Sequence, residues 1–590
     1  MTRITSIIKL SYTLVLLGFT AIAVSCKSDH SKEGKKTDKS PDTYLGDELS
    51  IQHGMELFNQ NCASCHNFVN AEIGPALSGV TQKVSKDWLI GFIQNPTEII
   101  LSGDSRAKDL FDRYKLYMPA FAQLGGEEME HLLAFIHRFS EAEKKNTSGR
   151  QGGIVNPIPE AISQWDGILK VESWITMPAS SDTPLLARIN KLNGQKDIKA
   201  GTTFIADQRG VLYAVIANTP QTYLDLKGVM KNFIDNPGYG SGLGSFAFHP
   251  DFDRNGRLYT THTEPAKSAH ADFAIPDSIP AALQWVLTEW IATDPKANLF
   301  SGTHRELMRV DMVTHVHGFQ EIAFNPIVNP GDPDYGKLYV GIGDGGAALG
   351  GHPELCNATN RVWSSVLRID PLGSNSENGQ YGIPEDNPYA GQTQARAEIW
   401  CSGFRNPHRI TWDTGGSGLM FISNIGQHSI EEVNLGRKGA NYGWPEREGK
   451  FLFDVNANSE LVYPVDSLNT AFTDPALQYD HDEGNAVSGG YAYAGLRVPG
   501  LRGYYVFGDI PRGTVFISDL SEIQSNTGGK IYRLPLEIDG KKSTLAALSK
   551  DARVDLRFGR DAEGELYLLT KNDGKIYRVT GFVNNLSNTP

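Results

Sequence analysis

Beyond residue 200, the chain repeats one pattern of apolar and polar positions. An apolar strand is followed by a turn with Asp or Gly and then by a second strand, as in FIADQRGVLYAV. Alternating strands around such a turn are typical of hairpins. The pattern occurs six times, in Phe204–Val215, Phe246–Glu264, Ile322–Gly346, Ile410–Gly426, Tyr504–Leu520 and Leu556–Thr570. Six such units predict an all-β six-bladed β-propeller over residues 158–581, followed by a C-terminal tail at 582–590.

Helical patterns predict a smaller domain in front of the propeller, so the chain is expected to be multidomain. Gly54–Cys62 and Glu127–Phe139 each carry an apolar stripe between polar positions. They indicate amphipathic helices in an all-α domain over residues 47–142. Residues 143–157, charged and then rich in Gly and Pro, predict a linker. A further helix is predicted at Ser278–Pro295, over one face of the propeller.

The N-terminal segment predicts export and a lipid anchor. After a basic start, the apolar run Leu10–Val24 is shorter than the about 20 residues that span a bilayer. The run ends at AVSC, which predicts a lipoprotein signal peptide (1–25) and a lipid on the thiol of Cys26. The alternative is an ordinary signal peptide that happens to carry a cysteine. With residues 26–46 as a polar tether, we expect an extracytoplasmic, membrane-anchored protein in the periplasm or at the cell surface.

Composition and charge limit the possible partners. The 590-residue chain has a formal net charge of −13 and 40% hydrophobic residues, which indicates an acidic globular protein. Nucleic-acid binding needs a clustered Lys/Arg surface, so no nucleic-acid partner is expected. The 61 glycines and 30 prolines favour many turns, which agrees with a strand-rich body.

The stretch NCASCHNF (Asn61–Phe68) places two cysteines and a histidine in the order C-x-x-C-H. At this spacing two thiols can add to the vinyl groups of a haem, so Cys62 and Cys65 are predicted to hold haem c covalently. The histidine that follows the second thiol, His66, is then expected to be the proximal iron ligand.

A methionine is expected on the other side of the haem iron. Met118 lies beside a proline in MPAF, ahead of the last predicted helix of the small domain. Met129, Met55 and His131 are the alternatives. Together with the Gly-Pro turn of IGPAL (Ile73–Leu77), these motifs resemble a class I cytochrome c, and the resemblance implies Met118 as the distal ligand.

Two of the five cysteines, Cys356 and Cys401, have no role in the lipid or haem predictions. In an oxidising compartment, two remaining thiols tend to pair, so a disulfide between them is predicted. Two buried free thiols are the alternative.

Several motifs of the strand-rich region occur in an order typical of one family. They are GSGLGSFAFHPDFDRNG, HGFQEIAFNP, LYVGIGDGG, VLRIDP, GFRNPHRITWD and IEEVNLGRKGANYGWP. Residues 158–579 therefore resemble the glucose/sorbosone dehydrogenase family. The resemblance implies a six-bladed propeller that holds pyrroloquinoline quinone and Ca²⁺ in a pocket on one face and oxidises sugars or related alcohols.

The resemblance also implies an acid–base pair. His317, placed by the register of HGFQEIAFNP, matches the family's general base, and Asp344 in GIGDGG matches the carboxylate that orients it. Oxidation of a C–OH group needs a group that takes the hydroxyl proton, and neutral imidazole suits this near pH 7. His315 is the alternative base, and His249 is predicted to be structural.

Cofactor contacts are implied in the same way. Arg405 and Asn406, in GFRNP, match residues that contact the quinone, and a guanidinium there can stabilise the charge that grows on reduction. Arg405 is therefore predicted to be catalytic as well. Gly426 and Gln427 match the two backbone carbonyls that hold Ca²⁺, which prefers oxygen ligands and would act as a Lewis acid.

Other positions depart from the family pattern. Gly240 stands where the family's glucose-oxidising members have a glutamine, and Pro511 stands where they have a quinone-contacting lysine. Arg553 and Arg557 lie near the place of the two arginines that meet the quinone carboxylates, but out of register. Substrate preference is therefore not given by the resemblance.

Three functions compete on this basis. The first is a quinoprotein dehydrogenase that oxidises a sugar or related alcohol and passes electrons through its own haem to a downstream acceptor. The second is a non-enzymatic propeller that binds carbohydrate or a protein partner and carries a separate electron-transfer cytochrome. The third is a hydrolase with a metal-bound water. The haem favours the first, because a tethered haem is an electron acceptor at high effective concentration and a hydrolase has no use for one.

Overall fold

The chain divides into a short helical part and a much longer part built of strands. The computed structural model describes residues 43–62, 65–66, 68, 74–114, 116–140, 150–182, 184–195, 199–236, 240–457, 461–465, 471–524, 528–549 and 553–585. The predicted signal peptide and Cys26 lie outside the described residues. Tyr44–Pro590 form one compact unit. Within the described ranges, no helix is long and apolar enough to cross a membrane.

The helical part has six helices among the described residues, and two of them cover most of the predicted Gly54–Cys62 and Glu127–Phe139. Its helices are α1 (Glu48–Asn61), α2 (Val80–Lys83), α3 (Lys86–Gln94), α4 (Pro96–Leu101), α5 (Ser105–Tyr114) and α6 (Gly126–Ser140). Helix α1 begins after Asp47, whose Oδ1 accepts a hydrogen bond from the Ser50 N–H at 2.9 Å. Helices α1 and α6 cross closely at Gly54, because a Cβ there would lie 2.0 Å from the carbonyl oxygen of His131.

The long part is built of strands that follow one another along the chain. They are β1 (Gly167–Thr176), β2 (Ile189–Gly194), β3 (Thr203–Asp207), β4 (Val211–Ile216), β5 (Thr219–Asp225), β6 (Ser245–Phe248), β7 (Arg257–Pro265), β8 (Leu283–Ala292), β9 (Gly302–Met312), β10 (Glu321–Phe324), β11 (Leu338–Ile342), β12 (Ser365–Ile369), β13 (Ile399–Ser402), β14 (Pro407–Trp412), β15 (Met420–Asn424), β16 (Ile430–Leu435), β17 (Arg447–Glu448), β18 (Phe451–Leu452), β19 (Leu477–Asp480), β20 (Val487–Ala492), β21 (Tyr504–Asp509), β22 (Val515–Asp519), β23 (Tyr532–Arg533), β24 (Leu536–Ile538), β25 (Lys541–Ser543), β26 (Leu556–Arg560), β27 (Leu566–Thr570) and β28 (Lys575–Asn584). Short helical turns lie in the loops: α7 (Leu226–Val229), α8 (Phe252–Asn255), α9 (Leu520–Gln524) and α10 (Leu545–Ser549), with 3₁₀ turns at Lys199–Gly201, Pro353–Leu355 and Pro499–Leu501.

Most strands belong to four-stranded antiparallel sheets, as in a propeller. The orders are β6-β7-β8-β9, β10-β11-β12-β13, β14-β15-β16-β19 and β20-β21-β22-β23, with β17 and β18 as a separate pair. A ten-stranded sheet has the order β25-β24-β1-β28-β27-β26-β2-β3-β4-β5. In it, β2 pairs in parallel with β26, and β1 pairs antiparallel with β28. The first and last strands of the propeller-like part thus share one sheet.

The core lies between neighbouring sheets and at their inner strands. Between two of the sheets, for example, Val366 packs in one apolar cluster with Ile410 and Ile422. At the inner strands, Glu321 on β10 is bonded to Lys191 on β2 and to Arg409 on β14, the latter at 2.6 Å. All three side chains are almost fully buried, so this ionic group connects three sheets at their inner edges.

The structure corrects two of the predictions made for the strand-rich part. Ser278–Pro295 contains strand β8 and no helix. The residues of β8 are buried on both faces of the strand, so apolar and polar residues do not alternate along it and the sequence does not indicate a strand. Cys356 and Cys401 are not joined by a disulfide. They are buried in different apolar clusters, one in a loop and one on β13, and burial raises the pKa of each thiol.

Backbone pairing in the strand-rich part extends a few residues beyond 158–581 at both ends. Strand β28 continues to Asn584, past the predicted end at 581, because Asn584 still pairs with Gly167 on β1. Before the predicted start at 158, Ile154 already forms a bridge with Val462.

Candidate active site and haem-binding cavity

The C-x-x-C-H residues lie where α1 ends and border one cavity. Cys62, Cys65 and His66 all line it. Nδ1 of His66 donates a hydrogen bond to the carbonyl oxygen of Pro75 at 2.9 Å, so the ring keeps Nε2 free to bind a metal. Glycine is required at position 74, because a Cβ there would lie 2.3 Å from Cε1 of His66.

Met118 lines the same cavity, as its predicted role requires. The alternatives are placed differently. Met129 is buried in the helical core, and Met55 is exposed. His131 lies 3.8 Å from a carboxylate oxygen of Glu127 and does not line the haem cavity. Of the candidates for the distal ligand, Met118 is therefore the one that shares a cavity with His66.

Two residues of the strand-rich part complete the wall of the haem cavity. They are His315 and Val316, which come just before His317. Val316 also lines a second and much larger cavity of about 950 Å³ at the propeller. Cys65 and Met118 line that larger cavity as well. The predicted haem site and the propeller cavity thus share a wall.

The large cavity brings together the residues that the family resemblance singles out. His317, Arg405, Asn406, Gly426 and Gln427 all line it. The positions that depart from the family pattern also line it, namely Gly240, Pro511, Arg553 and Arg557. By contrast, His249 lies elsewhere and accepts a hydrogen bond from the Asp251 N–H at 3.0 Å, which is a structural role.

His317 and Asp344 form a buried pair. Nδ1 of His317 lies 2.7 Å from Oδ1 of Asp344, whereas His315 faces the haem cavity. The backbone of His317 has φ +54°, an unusual conformation for a residue with a side chain, which is often kept at functional sites. Burial lowers the pKa of His317, and the positive charge of Arg405 lowers it further, against the opposing effect of Asp344. The imidazole is therefore neutral near pH 7.

Asp344 is held by three donors. Besides His317, the Gly346 N–H donates to Oδ1 at 2.8 Å, and Nε1 of Trp444 donates to Oδ2 at 3.1 Å. Burial alone would raise the pKa of Asp344, but His317, Arg405 and the Gly346 N–H together lower it. Because Asp344 is ionised and accepts from Nδ1, the proton of neutral His317 is on Nδ1 and Nε2 is the accepting nitrogen.

Arg405 lies beside this pair. Its Nε donates to Oε1 of Gln427 at 2.7 Å, and its guanidinium carbon lies 5.9 Å from the centre of the Trp444 ring. The side chains of Arg405, Gln427 and Trp444 are all buried. The contacts fix the guanidinium plane against the cavity next to His317.

Several buried polar atoms along the cavity have no hydrogen-bond partner in the described part of the chain. They are Oδ1 of Asn406, Nε2 of His408, Nε2 of Gln427 and Nε of Arg557. A buried polar atom without a partner costs about 1–3 kcal/mol, so these atoms indicate the place of a polar ligand.

A single carboxylate binds the backbone N–H groups of the loop after β15. Oε1 of Glu448 accepts hydrogen bonds from four successive N–H groups, those of Gln427, His428, Ser429 and Ile430, at 2.8–3.0 Å. Glycine is required at position 426, since a Cβ would lie 1.8 Å from the Ile430 carbonyl oxygen. Among the described residues, no three His, Cys, Asp or Glu side chains are placed to share a metal ion, so a cation here would need the carbonyl oxygens.

A basic cluster lies at the buried end of the cavity. Arg553 and Arg557 contact the two oxygens of Asp555 at 3.0 and 2.7 Å, and Lys571 donates to Gln208 at 2.7 Å. Arg553, Arg557 and Lys571 are all less than a tenth exposed. Burial lowers the pKa of Lys571 well below its usual value, so the positive charge of this cluster lies mainly on the two arginines, where Asp555 partly balances it.

Sequence reasoning missed several lining groups. His408 stands two residues after Asn406, and its Nδ1 lies 3.1 Å from Oε1 of Gln320. His428 and His481 face each other with ring centres 5.9 Å apart, and burial lowers the pKa of His428 to about 4. Trp444 could have been found from the NYGWP motif, but no local signal connects His481 to this cavity.

Comparison with known proteins agrees with the two parts of the chain. The Glucose / Sorbosone dehydrogenase family matches residues 195–578, and the Cytochrome c family matches residues 51–140. The HIPL1 protein of Arabidopsis thaliana is 29% identical over 383 residues, which cover 57% of this chain and 53% of that protein. Aldose sugar dehydrogenase YliI of Escherichia coli (strain K12) is 23% identical over 406 residues, covering 67% of this chain and 94% of that protein.

One solved structure is also similar to part of this chain. The PQQ-bound form of Aldose Sugar Dehydrogenase from Streptomyces coelicolor has a TM-score of 0.46 and 18% identity, and covers 71% of this chain and 99% of that one. The chain spans about half the length of the first curated relatives that it matches. Because the family match extends over well more than half of the chain, the protein belongs to the glucose/sorbosone dehydrogenase family, with a cytochrome c domain in front of the propeller.

Proposed function

We propose that the protein is a quinoprotein dehydrogenase that oxidises a sugar or related alcohol and delivers the electrons to its own haem. The observation that carries this proposal is the wall shared by two cavities. Cys65, Met118 and Val316 border both the haem cavity and the cavity that holds His317 and Arg405. Electron transfer weakens steeply with distance, so a donor and an acceptor held in cavities that share wall residues would be well placed for direct transfer.

The residues present fit pyrroloquinoline quinone. Its polar ring and carboxylates would find partners in Asn406, Gln427 and the basic cluster around Arg557, where buried polar atoms lack partners in the described part of the chain. When bound, the quinone supplies the two-electron acceptor. Ca²⁺ fits the carbonyl oxygens of Gly426 and Gln427, beside the buried carboxylate of Glu448, and would supply a Lewis acid.

The chain's own contribution to the chemistry is proton removal and charge stabilisation. Nε2 of His317 accepts the hydroxyl proton of the substrate, because Asp344 keeps the ring proton on Nδ1. The resulting imidazolium is stabilised by the ionised carboxylate of Asp344. Arg405 is held by Gln427 and would present its positive charge to the quinone, where negative charge grows on reduction.

Two finer features belong to the same proposal. We count six blades by treating the ten-stranded sheet as two neighbouring blades, β2–β5 and β26–β28 with β1, beside the four four-stranded sheets. We also place the protein outside the cytoplasm with a lipid on Cys26, on the strength of the AVSC motif and the haem c site. Cys26→Ala should move the protein from the membrane fraction to the soluble fraction; continued membrane association would contradict the lipid anchor.

Reconstitution tests the central proposal. The purified, haem-loaded protein is incubated with pyrroloquinoline quinone and Ca²⁺ and mixed with a panel of aldoses and polyols, while haem absorbance is followed. We expect haem reduction by at least one substrate. His317→Ala should still bind the quinone but lose about 10²–10⁴-fold in kcat, the usual contribution of a general base. An artificial dye acceptor, used in parallel, separates substrate oxidation from haem reduction.

The outcome also distinguishes the alternative functions. If neither the haem nor the dye is reduced by any member of the panel, the protein is better described as a binding propeller with a separate cytochrome. If the dye is reduced and the haem is not, the dehydrogenase assignment stands and the internal electron route is wrong.

A further inference from the structure

The large cavity is strongly positive although the protein is acidic. Among the described residues, seven arginines, one lysine and two carboxylates line it, which is a formal surplus of six positive charges in a chain whose net charge is −13. Burial lowers the pKa of the lysine, Lys571, so the seven arginines carry most of this surplus. Clefts lined by one sign of charge concentrate ligands of the opposite sign. The charge distribution therefore points to anionic ligands.

The cofactor accounts for only part of this surplus. This step rests on the proposed function, because it assumes that pyrroloquinoline quinone is bound. The quinone is a tricarboxylate, so it neutralises half of the surplus, and Ca²⁺ would add positive charge again. We assign the buried group Arg405, Arg553, Arg557 and Lys571 to the quinone. Outside this group, Arg188, Arg209 and Arg512 also line the cavity.

Arg188 and Arg209 lie close enough to repel each other. Burial and the charge of Arg209 together lower the pKa of Arg188 to about 10, despite the opposing effects of Asp207, Asp235 and Asp555. Burial also lowers the pKa of Arg209, which is half-buried, against the opposing effects of Asp207 and Asp235. Two neighbouring guanidinium groups that repel each other in a cleft are stabilised by an anion placed between them.

Neutral groups hold both Arg209 and Arg512 in fixed positions. Nη1 of Arg209 donates to Oγ of Ser180 at 2.7 Å, and Nη2 donates to the Leu185 carbonyl oxygen at 3.1 Å. Arg512 donates to Oδ1 of Asn485 at 3.1 Å and to two backbone carbonyl oxygens at 2.7 and 2.8 Å. Within the described part of the chain, neither makes an ion pair within 4.0 Å. Both are thus oriented in advance and retain their charge for a ligand.

We propose that the substrate is a sugar that carries an anionic group, a carboxylate or a phosphate, bound at the Arg188–Arg209 pair. Planar guanidinium groups bind both kinds of oxyanion in a bidentate manner. Arg512, also half-buried, adds positive charge to the same cavity. The reacting hydroxyl group would lie at His317, and the anionic group would select which sugars enter.

Paired substrates test this inference on the intact, quinone- and haem-loaded protein. Dye reduction is measured with glucose, glucuronate and glucose 6-phosphate, so that the neutral sugar is compared with a carboxylated and a phosphorylated form. We expect kcat/KM for at least one anionic sugar to exceed that for glucose by about tenfold or more, the effect of one charge-assisted contact. Which of the two is preferred identifies the anionic group.

A charge-removing variant locates the contact. Arg209→Gln should raise KM for the preferred anionic sugar about 10- to 100-fold and change KM for glucose less than about threefold. Arg497→Gln is the matched control, because Arg497 is exposed and does not line the cavity. If Arg209→Gln does not fold, the wild-type protein gives the same information: added salt should raise KM for the anionic sugar and leave KM for glucose unchanged.

The two proposals fail in different ways. If glucose is oxidised as efficiently as both anionic sugars, or if Arg209→Gln raises both KM values equally, the inference about the anionic substrate is overturned and the dehydrogenase proposal stands. If no substrate of either kind reduces the dye, the proposed function itself fails.

Discussion

Asp344→Asn tests whether the carboxylate keeps His317 in its proton-accepting form. Asp344 accepts from three donors: His317 Nδ1 at 2.7 Å, the Gly346 N–H at 2.8 Å and Trp444 Nε1 at 3.1 Å. An asparagine offers one accepting oxygen and one donating NH₂ group. It therefore cannot satisfy all three donors in either orientation of its amide.

Each orientation has its own cost. With the oxygen toward His317, the NH₂ group opposes Trp444 Nε1–H, which should lower the free energy of unfolding by about 1–3 kcal/mol. With the NH₂ group toward His317, the ring must accept at Nδ1 and carry its proton on Nε2. That nitrogen can then no longer take the hydroxyl proton, and kcat should fall by about 10²–10⁴-fold.

The pH dependence gives a second, independent readout. Asp344 opposes the burial that lowers the pKa of His317, so its neutralisation should lower that pKa further. The acid limb of the kcat–pH profile should therefore move to lower pH in Asp344→Asn. Dye reduction at saturating substrate between pH 5 and pH 9 measures both kcat and the position of this limb.

A second substitution separates the two orientations. Trp444→Phe removes the N–H donor that the asparagine NH₂ group would oppose. The double variant Asp344→Asn/Trp444→Phe should therefore regain part of the stability and part of the kcat that Asp344→Asn loses. Trp444→Phe alone is the control. Wild-type kcat together with a wild-type pH profile in Asp344→Asn would refute the reasoning.

Two further predictions concern the haem and a buried glutamate. Met118→His should lower the reduction potential and change the haem spectrum, because thioether ligation raises the potential; Met129→Leu, in the helical core, should change neither. Burial raises the pKa of Glu432 from 4.5 to about 7, with the charge of Glu448 adding to the effect. The free energy of unfolding should therefore fall by up to about 3 kcal/mol as pH rises from 4.5 to about 7. Denaturation at pH 5 and pH 8 measures this fall, which should be smaller in Glu432→Gln than in the wild-type protein. An equal fall in both proteins would contradict the raised pKa.

Features that depend on contiguous residues could be predicted from the sequence. Haem attachment needs two thiols and a histidine within one turn, and the cytochrome c family match confirms that domain. The pairing of His317 with Asp344 depends on the fold, yet the family resemblance located both residues, and the structure places them 2.7 Å apart. Their roles in catalysis stay predictions.

Features that depend on packing could not be predicted. The segment around β8 is buried on both faces, so its apolar run looks the same for a buried helix and a buried strand. Cys356 and Cys401 lie in different apolar clusters because of the way the sheets pack, and this packing cannot be read from the spacing of cysteines in the sequence. Met118 of the cytochrome domain and Val316 of the propeller line the same two cavities. This depends on how the two domains pack, and only the three-dimensional structure shows it.

The pairing of β1 with β28 has a consequence for the order of folding. The two strands join residues from opposite ends of the strand-rich part, such as Gly167 and Asn584, so this sheet cannot be completed before the last strands have been synthesised. Contacts within the cytochrome domain, by contrast, are confined to less than a hundred residues near the N-terminus. Since domains fold as units, the cytochrome domain can fold while the ring is still open. The predicted haem site can then form before the candidate active site is complete.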